Sequence, residues 1–312
     1  VVRSLPPRAA LALASAAGDV WHAVDGRRRG RVWENLRVAF GPPRDLEERR
    51  RFVRRVFRQM MRVPVEVLLF PRLLRGRRDL ERRCRLLGDW DLVAEDRDRG
   101  RGGLIVTGHL GNWELGGRCV RLFPLPVRVV VRPIENPWLD ASATRSRGGP
   151  GAVIRKEGAL KETIRTLRGG GWVAIVADQN AGRRGVFLPF FGLEASTWAT
   201  PAIVALKTGA PVYVGATVRR PGPELAFDVR IRRLEPTPAG LDENEAARLL
   251  LGRIVRTLEG WIREHPEQYN WLHRRWKSRP PGEPRSPDLP SYAAPAVPAA
   301  TTVPATSTQG GA

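Results

Sequence analysis

At 312 residues, 42% of them hydrophobic, the chain is long enough to bury a sizeable core, which excludes the intrinsically disordered class. Its 53 basic and 32 acidic residues give a net charge of +21, nearly all from arginine and spread along the chain, a field that favours anionic partners such as nucleic acid, an anionic membrane face, a phosphorylated lipid or an acidic carrier protein. Two cysteines, Cys84 and Cys119, with no CxxC and no cysteine–histidine cluster, exclude a disulfide framework and a structural zinc site.

The first segment, "RAALALASAAGDVWHAV", reads as a helix: its Ala/Leu run is shorter than a membrane span, and no stretch of the chain reaches about 18 uninterrupted apolar residues, so membrane association is expected to be peripheral. Residues 1–100 read as a helical region. Within it, "LEERRRFVRRVFRQMMRV" repeats Phe52, Val53, Val56, Phe57, Met60 and Met61 at helical spacing, opposite Arg50, Arg51, Arg54, Arg55 and Arg58. That pattern fits a core helix with a solvated basic face, and equally a helix docked on a membrane or partner.

From Gly103 the pattern changes. "GLIVT", "VRVVVR", "WVAIVAD" and "PVYVGATV" are strand-like, with helical segments near 112–122, 158–168 and 198–208 between them. This alternation predicts an α/β fold over 101–278, a largely parallel sheet flanked by helices. "ELAFDVRIRRLEP" reads as an added edge strand and "DENEAARLLLGRIVRTLEGWIREHP" as a long closing helix. From Arg279 to residue 312 the composition turns to Pro, Ala, Ser and Thr, a tail expected to be disordered.

The stretch "VTGHLGNWELGG", Val106 to Gly117, lies where a strand ends and a helix begins, the rim on which chemistry collects in open α/β sheets. His109 is a natural general base at neutral pH, and a carboxylate such as Glu114 on its other nitrogen would fix the tautomer and stabilise the imidazolium. The absence of a nearby Ser or Cys nucleophile motif points to a hydroxyl carried by an acceptor substrate and to direct transfer. Spacing alone also fits a turn histidine followed by a solvated helix glutamate. The glycines at 108, 111, 116 and 117 favour the first reading, because they permit close backbone approach to a substrate.

"VTGHLGNWELGG" closely resembles the H-x4-D/E block of the bacterial lipid A biosynthesis lauroyl/myristoyl acyltransferases, a branch of the lysophospholipid and glycerolipid acyltransferase superfamily. "RVWENLRVAFG", "VRPIENPWLD", "RSRGGPGAVIRKEGALKETIRTLRGGG", "ADQNAGRRGVFLPFFGLEASTWATPAIVALKTGAPVYVG" and "HPEQYNWLHRRWKSRP" resemble further blocks of that family in the same order, over about residues 1–278. The resemblance implies transfer of an acyl chain from a thioester, on acyl carrier protein or coenzyme A, to a hydroxyl of a glycolipid at the cytoplasmic face of the inner membrane, without metal or redox cofactor. It implies His109 as base and Glu114 as its orienting partner. Arg132 and Arg147 match recurrent family arginines that could bind a phosphate on donor or acceptor. Asp178 and Gln179 form a "DQ" block that stands where the wider superfamily has an acceptor-binding motif, although Asp178 could equally cap the following loop.

Asn136 reads as a turn residue. Phe187, Phe190 and Phe191 fit core packing or an acyl-chain groove, and Thr197 could bring a hydroxyl near the site. Trp271, His273, Arg274, Arg275 and Trp276 fit a terminal packing motif or a membrane-interface cluster. Two alternatives stand beside the main reading: acylation of another glycolipid such as a phosphatidylinositol mannoside, and a basic nucleic-acid-binding protein. The second lacks any helix-turn-helix, zinc-finger or RNP-like pattern, so no nucleic-acid partner is expected.

Overall fold

The computed structural model describes residues 4–119, 125–133, 135–155, 157–222, 225–284, 286 and 288–293. Helix α1 (Pro7–Val24) starts on a proline at its first position, where the missing N–H costs nothing. Helices α2 (Gly26–Phe40) and α3 (Leu46–Leu73) are each capped by the preceding aspartate, Asp25 accepting from the Arg28 N–H and Asp45 from the Glu47 N–H. After α4 (Arg77–Arg83) the chain alternates through β1 (Cys84–Gly88), α5 (Trp90–Asp98), β2 (Gly103–Gly111), α6 (Trp113–Cys119), β3 (Val127–Val131), α7 (Pro137–Arg147), β4 (Val153–Arg155), α8 (Ala159–Arg168) and β5 (Trp172–Val176). A hairpin of β6 (Val186–Phe190) and β7 (Leu193–Thr197) follows, then α9 (Thr200–Thr208), β8 (Val212–Arg219), β9 (Phe227–Arg233) and α10 (Glu243–Glu264).

The seven-stranded sheet runs in the order β1-β9-β8-β2-β5-β3-β4, and all its pairings are parallel except β8 with β9. The expected α/β fold with a largely parallel sheet and helical N-terminal region is what forms. Two expectations change. The strand within "ELAFDVRIRRLEP" is not at the edge, because β9 lies between β8 and β1. Its outer neighbour β1 comes from the first hundred residues, where five residues with a weakly alternating burial pattern were too short to interrupt a helical reading.

Side chains alternate between two faces of the sheet. One set, including Leu104, Val106, Val173, Ile175, Val212 and Val214, forms a core cluster with α10 and with Val32, Leu36, Val53, Val56 and Phe57 of α2 and α3. The helical N-terminal region therefore shares the sheet's core. The other set, including Ile105, Trp172, Tyr213 and Ile231, clusters with Phe70, Trp90, Val93 and Leu115. The apolar stripe of α3 thus faces the core, and burying each of its large side chains contributes about 1.5–3 kcal/mol. The ion pairs of Arg54 and Arg58 with Asp19 are open to solvent and screened by it, so packing holds α1 to α3.

Chain beyond Arg279 also packs, where a disordered tail was expected to begin. The Arg279 guanidinium donates to the Glu194 carbonyl, the Arg37 guanidinium donates to the Leu289 carbonyl at 3.2 Å, and the Tyr292 hydroxyl meets the Asn35 amide oxygen. These polar anchors, spaced through a Pro-rich segment, give it partners that its composition conceals. The rest of the expected tail, residues 294–312, lies outside the described residues. Among the described residues no helix is long and apolar enough to cross a membrane.

The α1–α3 crossing is close enough to demand glycine: a Cβ on buried Gly18 would lie 2.6 Å from the Arg58 Cα. Gly18→Val is expected to cost about 1–3 kcal/mol of unfolding free energy by overpacking. Urea unfolding followed by circular dichroism checks this, and an unchanged midpoint would contradict so tight a crossing.

Candidate active site

The end of β2 is irregular in a way that builds the site. Its pairing with β8 runs from Leu104↔Val212 to Thr107↔Gly215 and resumes only at Gly111↔Thr217, so Gly108, His109 and Leu110 stand opposite a single residue. Such a bulge re-aims side chains. The loop is fixed on both sides. The His109 carbonyl accepts from the Asn270 N–H at 3.0 Å, Leu110 bridges Tyr269, and the Asn112 N–H donates to the Thr217 carbonyl at 2.8 Å. Gly111 has φ 63°, and a Cβ there would sit 2.0 Å from the Thr217 oxygen, so no other residue fits.

Strand β5 lies beside β2, and the residues that follow it bring Asp178 against the bulge. One Asp178 oxygen accepts the His109 backbone N–H at 2.7 Å, and the other lies 2.7 Å from His109 Nδ1. The carboxylate assigns the ring proton to Nδ1 and leaves the Nε2 lone pair free to accept a proton, with the Gln179 amide nitrogen 3.4 Å from it. Gly108 makes room for this contact, since a Cβ on it would meet the Asp178 carboxylate at 3.1 Å. The Trp113 ring packs edge-on against the imidazole at 4.8 Å.

Electrostatics follow the geometry. Burial pushes the His109 imidazole down, but the charge and hydrogen bond of Asp178, with the Glu114 charge, outweigh it and the net shift is upward. Burial pushes the Asp178 carboxyl up, and His109 together with the Arg275 charge brings it below its usual range. Buried Arg275, whose guanidinium donates to Thr197 Oγ1 at 2.8 Å and lies over the Phe190 ring, and buried Tyr269 stand behind the carboxylate. His273 accepts the Asn180 N–H through Nε2, and burial lowers its pKa to about 4, which keeps it neutral.

Glu114 is differently engaged. Both its oxygens accept from Arg147 in the last turn of α7, at 3.0 and 2.6 Å, a bidentate pair. The carboxylate on His109 Nδ1 is therefore Asp178, and Glu114, expected there from the sequence, bonds Arg147 and acts on the ring through its charge. Glu114 sits in the first turn of α6, within reach of Arg147 on α7, whereas strand adjacency places Asp178. Arg132, at the end of β3, is exposed and makes no hydrogen bond or ion pair among the described residues.

His109, Glu114, Arg132, Arg147 and Gln179 line one cavity of about 310 Å³ that extends over a face of the sheet. Its walls are apolar, among them Ile105, Val129, Val131, Ala174, Val176 and Ile231, with Trp90 also lining it. None of Phe187, Phe190 and Phe191 lines this cavity: Phe190 and Phe191 are buried on the opposite face in an aromatic cluster with Tyr269, Trp271 and Trp276. Trp271, Arg275 and Trp276 are buried, so that segment is a packing motif, and Thr197 serves Arg275. Asn136 accepts the Trp138 N–H at the start of α7, a turn role. Sequence reading singled out Asp178 but not as the partner of His109, and Tyr269 gave no signal in the sequence.

A family model described as bacterial lipid A biosynthesis acyltransferase matches residues 1–278. A lipid A biosynthesis palmitoleoyltransferase of Escherichia coli is 29% identical over 269 residues, covering 82% of this chain and 81% of that protein. A lipid A biosynthesis lauroyltransferase of the same organism is 33% identical over 187 residues, 59% of each chain. A lipid A biosynthesis acyltransferase of Haemophilus influenzae is 28% identical over 190 residues, 59% of this chain and 58% of that protein.

In Asp178→Asn the imidazole keeps its burial and loses the charge that raises it, so the His109 pKa is expected to fall below its wild-type value. NMR titration of the imidazole measures this, and an unmoved pKa would remove Asp178 as the dominant partner.

Proposed function

Since the chain belongs to the bacterial lipid A biosynthesis acyltransferase family, and is an acyltransferase by that membership, we propose that it transfers a fatty acyl chain from an acyl thioester, on acyl carrier protein or coenzyme A, to a hydroxyl of a lipid A precursor. The observation that carries this reading is an imidazole oriented by a buried carboxylate at an apolar cavity. An acyl chain needs such walls, and a hydroxyl nucleophile needs such a base.

In the proposed reaction the acyl chain lies along the sheet face with its thioester carbonyl beside His109. The acceptor hydroxyl gives its proton to Nε2 as its oxygen bonds to the carbonyl carbon. Asp178 holds the ring and stabilises the imidazolium. The tetrahedral intermediate then expels the thiolate, which takes the proton back from Nε2, and base and carboxylate return to their starting state. The developing oxyanion requires fixed donors; the Gln179 amide, beside Nε2, is one within the same cavity. Arg132, with no partner among the described residues, offers a cation for a phosphate group on a substrate. Arg147 is already committed to Glu114, so its part is to fix that carboxylate near the imidazole.

A lipid acceptor is reached from a bilayer surface. The outward face of α1 offers exposed Ala9, Ala12, Leu13, Ala16, Val20 and Val24, and the chain's charge of +21 suits anionic lipid. A peripheral seat on the cytoplasmic leaflet accords with that face.

His109→Ala is expected to abolish transfer of a labelled acyl chain while leaving circular dichroism unchanged; full activity would sink the base assignment. Narrowing the cavity should change the donor rather than the chemistry. Ala174→Leu, on the cavity floor, is expected to shift preference towards shorter acyl thioesters, read by mass spectrometry of products from mixed donors, and an unaltered product profile would place the acyl chain elsewhere.

A further inference from the structure

Away from the cavity, a group of buried polar side chains joins the long helix α3 to the loop that carries the site. Glu66, 0% exposed, accepts from Asn112 Nδ2 at 2.8 Å through one oxygen and from Arg219 Nε at 2.6 Å through the other. Arg219, at the end of β8, also meets the Gln59 amide oxygen, and its backbone exchanges two hydrogen bonds of 2.9 Å with the Gln268 side chain. Gln268 immediately precedes Tyr269 and Asn270, the residues that pair with Leu110 and His109.

Asn112 is the pivot of this arrangement. It is wholly buried and makes three different contacts: its N–H binds the Thr217 carbonyl, its side-chain oxygen accepts the Leu115 N–H at 3.1 Å, and its side-chain NH2 reaches Glu66. It stands between His109 and Glu114, two residues before the carboxylate that Arg147 grips. Burying a carboxylate costs several kcal/mol unless it is paired and hydrogen-bonded, so a chain that only needed to cap a short helix had no reason to place Glu66 here.

We infer that Glu66, acting through Asn112, is a positioning residue that fixes the start of α6 and hence the placement of Glu114 and Arg147 relative to the His109 imidazole. Asp178 pins one end of the segment from 109 to 114, and Glu66 pins the other. The inference rests on the reading of His109 as the base. Neither Glu66 nor Asn112 lines the cavity, so the brace acts on geometry and not on substrate.

The test uses Asn112→Ser, which keeps a cap for α6 and loses the link to Glu66, and Glu66→Gln, which removes the charge at nearly constant volume. Gly18→Val, destabilised at the remote α1–α3 crossing, serves as a comparison for lost stability alone. The expected result is a fall in kcat of about 10- to 100-fold with KM for the acyl donor little changed, as a displacement near 1 Å would produce. The acid limb of the kcat/KM profile should move to lower pH as Glu114, with Arg147 paired to it, draws away from an imidazole whose other neighbours are the Asp178 carboxylate and neutral His273. Wild-type kcat in both variants would overturn the inference. So would a loss that matches Gly18→Val at equal folded fraction with the acid limb unmoved. If instead His109→Ala keeps its activity, the base reading itself fails, whatever Asn112 does.

Discussion

The contact on which the rest of the site depends is the double acceptance by Asp178 of the His109 backbone N–H and ring Nδ1. A carboxylate this deeply buried survives as an anion only with partners on every side, and breaking a buried pair of this kind costs about 3–5 kcal/mol. Gly108 leaves the space for it, the bulge of β2 turns the imidazole towards it, and Arg275 and Tyr269 close it from behind. The same contact serves both stability and the proposed chemistry, because it sets the tautomer that leaves Nε2 free to accept a proton.

Around that contact the sheet divides its labour by face. One face is filled by α2, α3, α10 and the aromatic cluster at the hairpin, and this gives the bulge a rigid floor. The other face is incompletely filled, and the gap is the cavity. Small side chains at Gly215 and Ala174 keep the floor low, while α6 lines the gap with Gly116 and Gly117 beside Trp113, Glu114 and Arg118. An apolar slot beside an imidazole held by a carboxylate, with the Arg132 guanidinium free of partners among the described residues, suits a substrate with a hydrocarbon chain and an anionic head.

Much of this was legible in the sequence, for identifiable reasons. The strands "GLIVT", "VRVVVR", "WVAIVAD" and "PVYVGATV" were visible because a doubly covered parallel sheet needs near-continuous apolar runs. His109, Glu114, Arg132, Asp178 and Gln179 could be singled out because each lies where an element ends or begins, and Arg147 because it matches an arginine of the family that the sequence resembles. Which of them touch was not legible. The pairing of His109 with Asp178 depends on β2 and β5 being neighbours, a fact of strand order that local patterns do not encode. The Glu66 brace escaped for a similar reason: a glutamate within a basic helix looks like a solvated charge until Arg219 and Asn112, far along the chain, are brought to it. Strand β1 and the packed segment after Arg279 were missed because short or proline-rich stretches gain their structure from tertiary partners.

The central claim is that the acyl chain lies in the sheet-face cavity with its carbonyl presented to His109 Nε2. The most direct measurement is a crystal structure with a ketone analogue of the donor, in which a methylene replaces the thioester sulfur. The expected result places the alkyl chain between Val129, Ala174 and Ile231, running towards Trp90, with the carbonyl carbon within about 3.5 Å of a hydroxyl or water hydrogen-bonded to Nε2. An alkyl chain bound instead between the β6–β7 hairpin and α10, with the cavity beside His109 empty of it, would contradict the account.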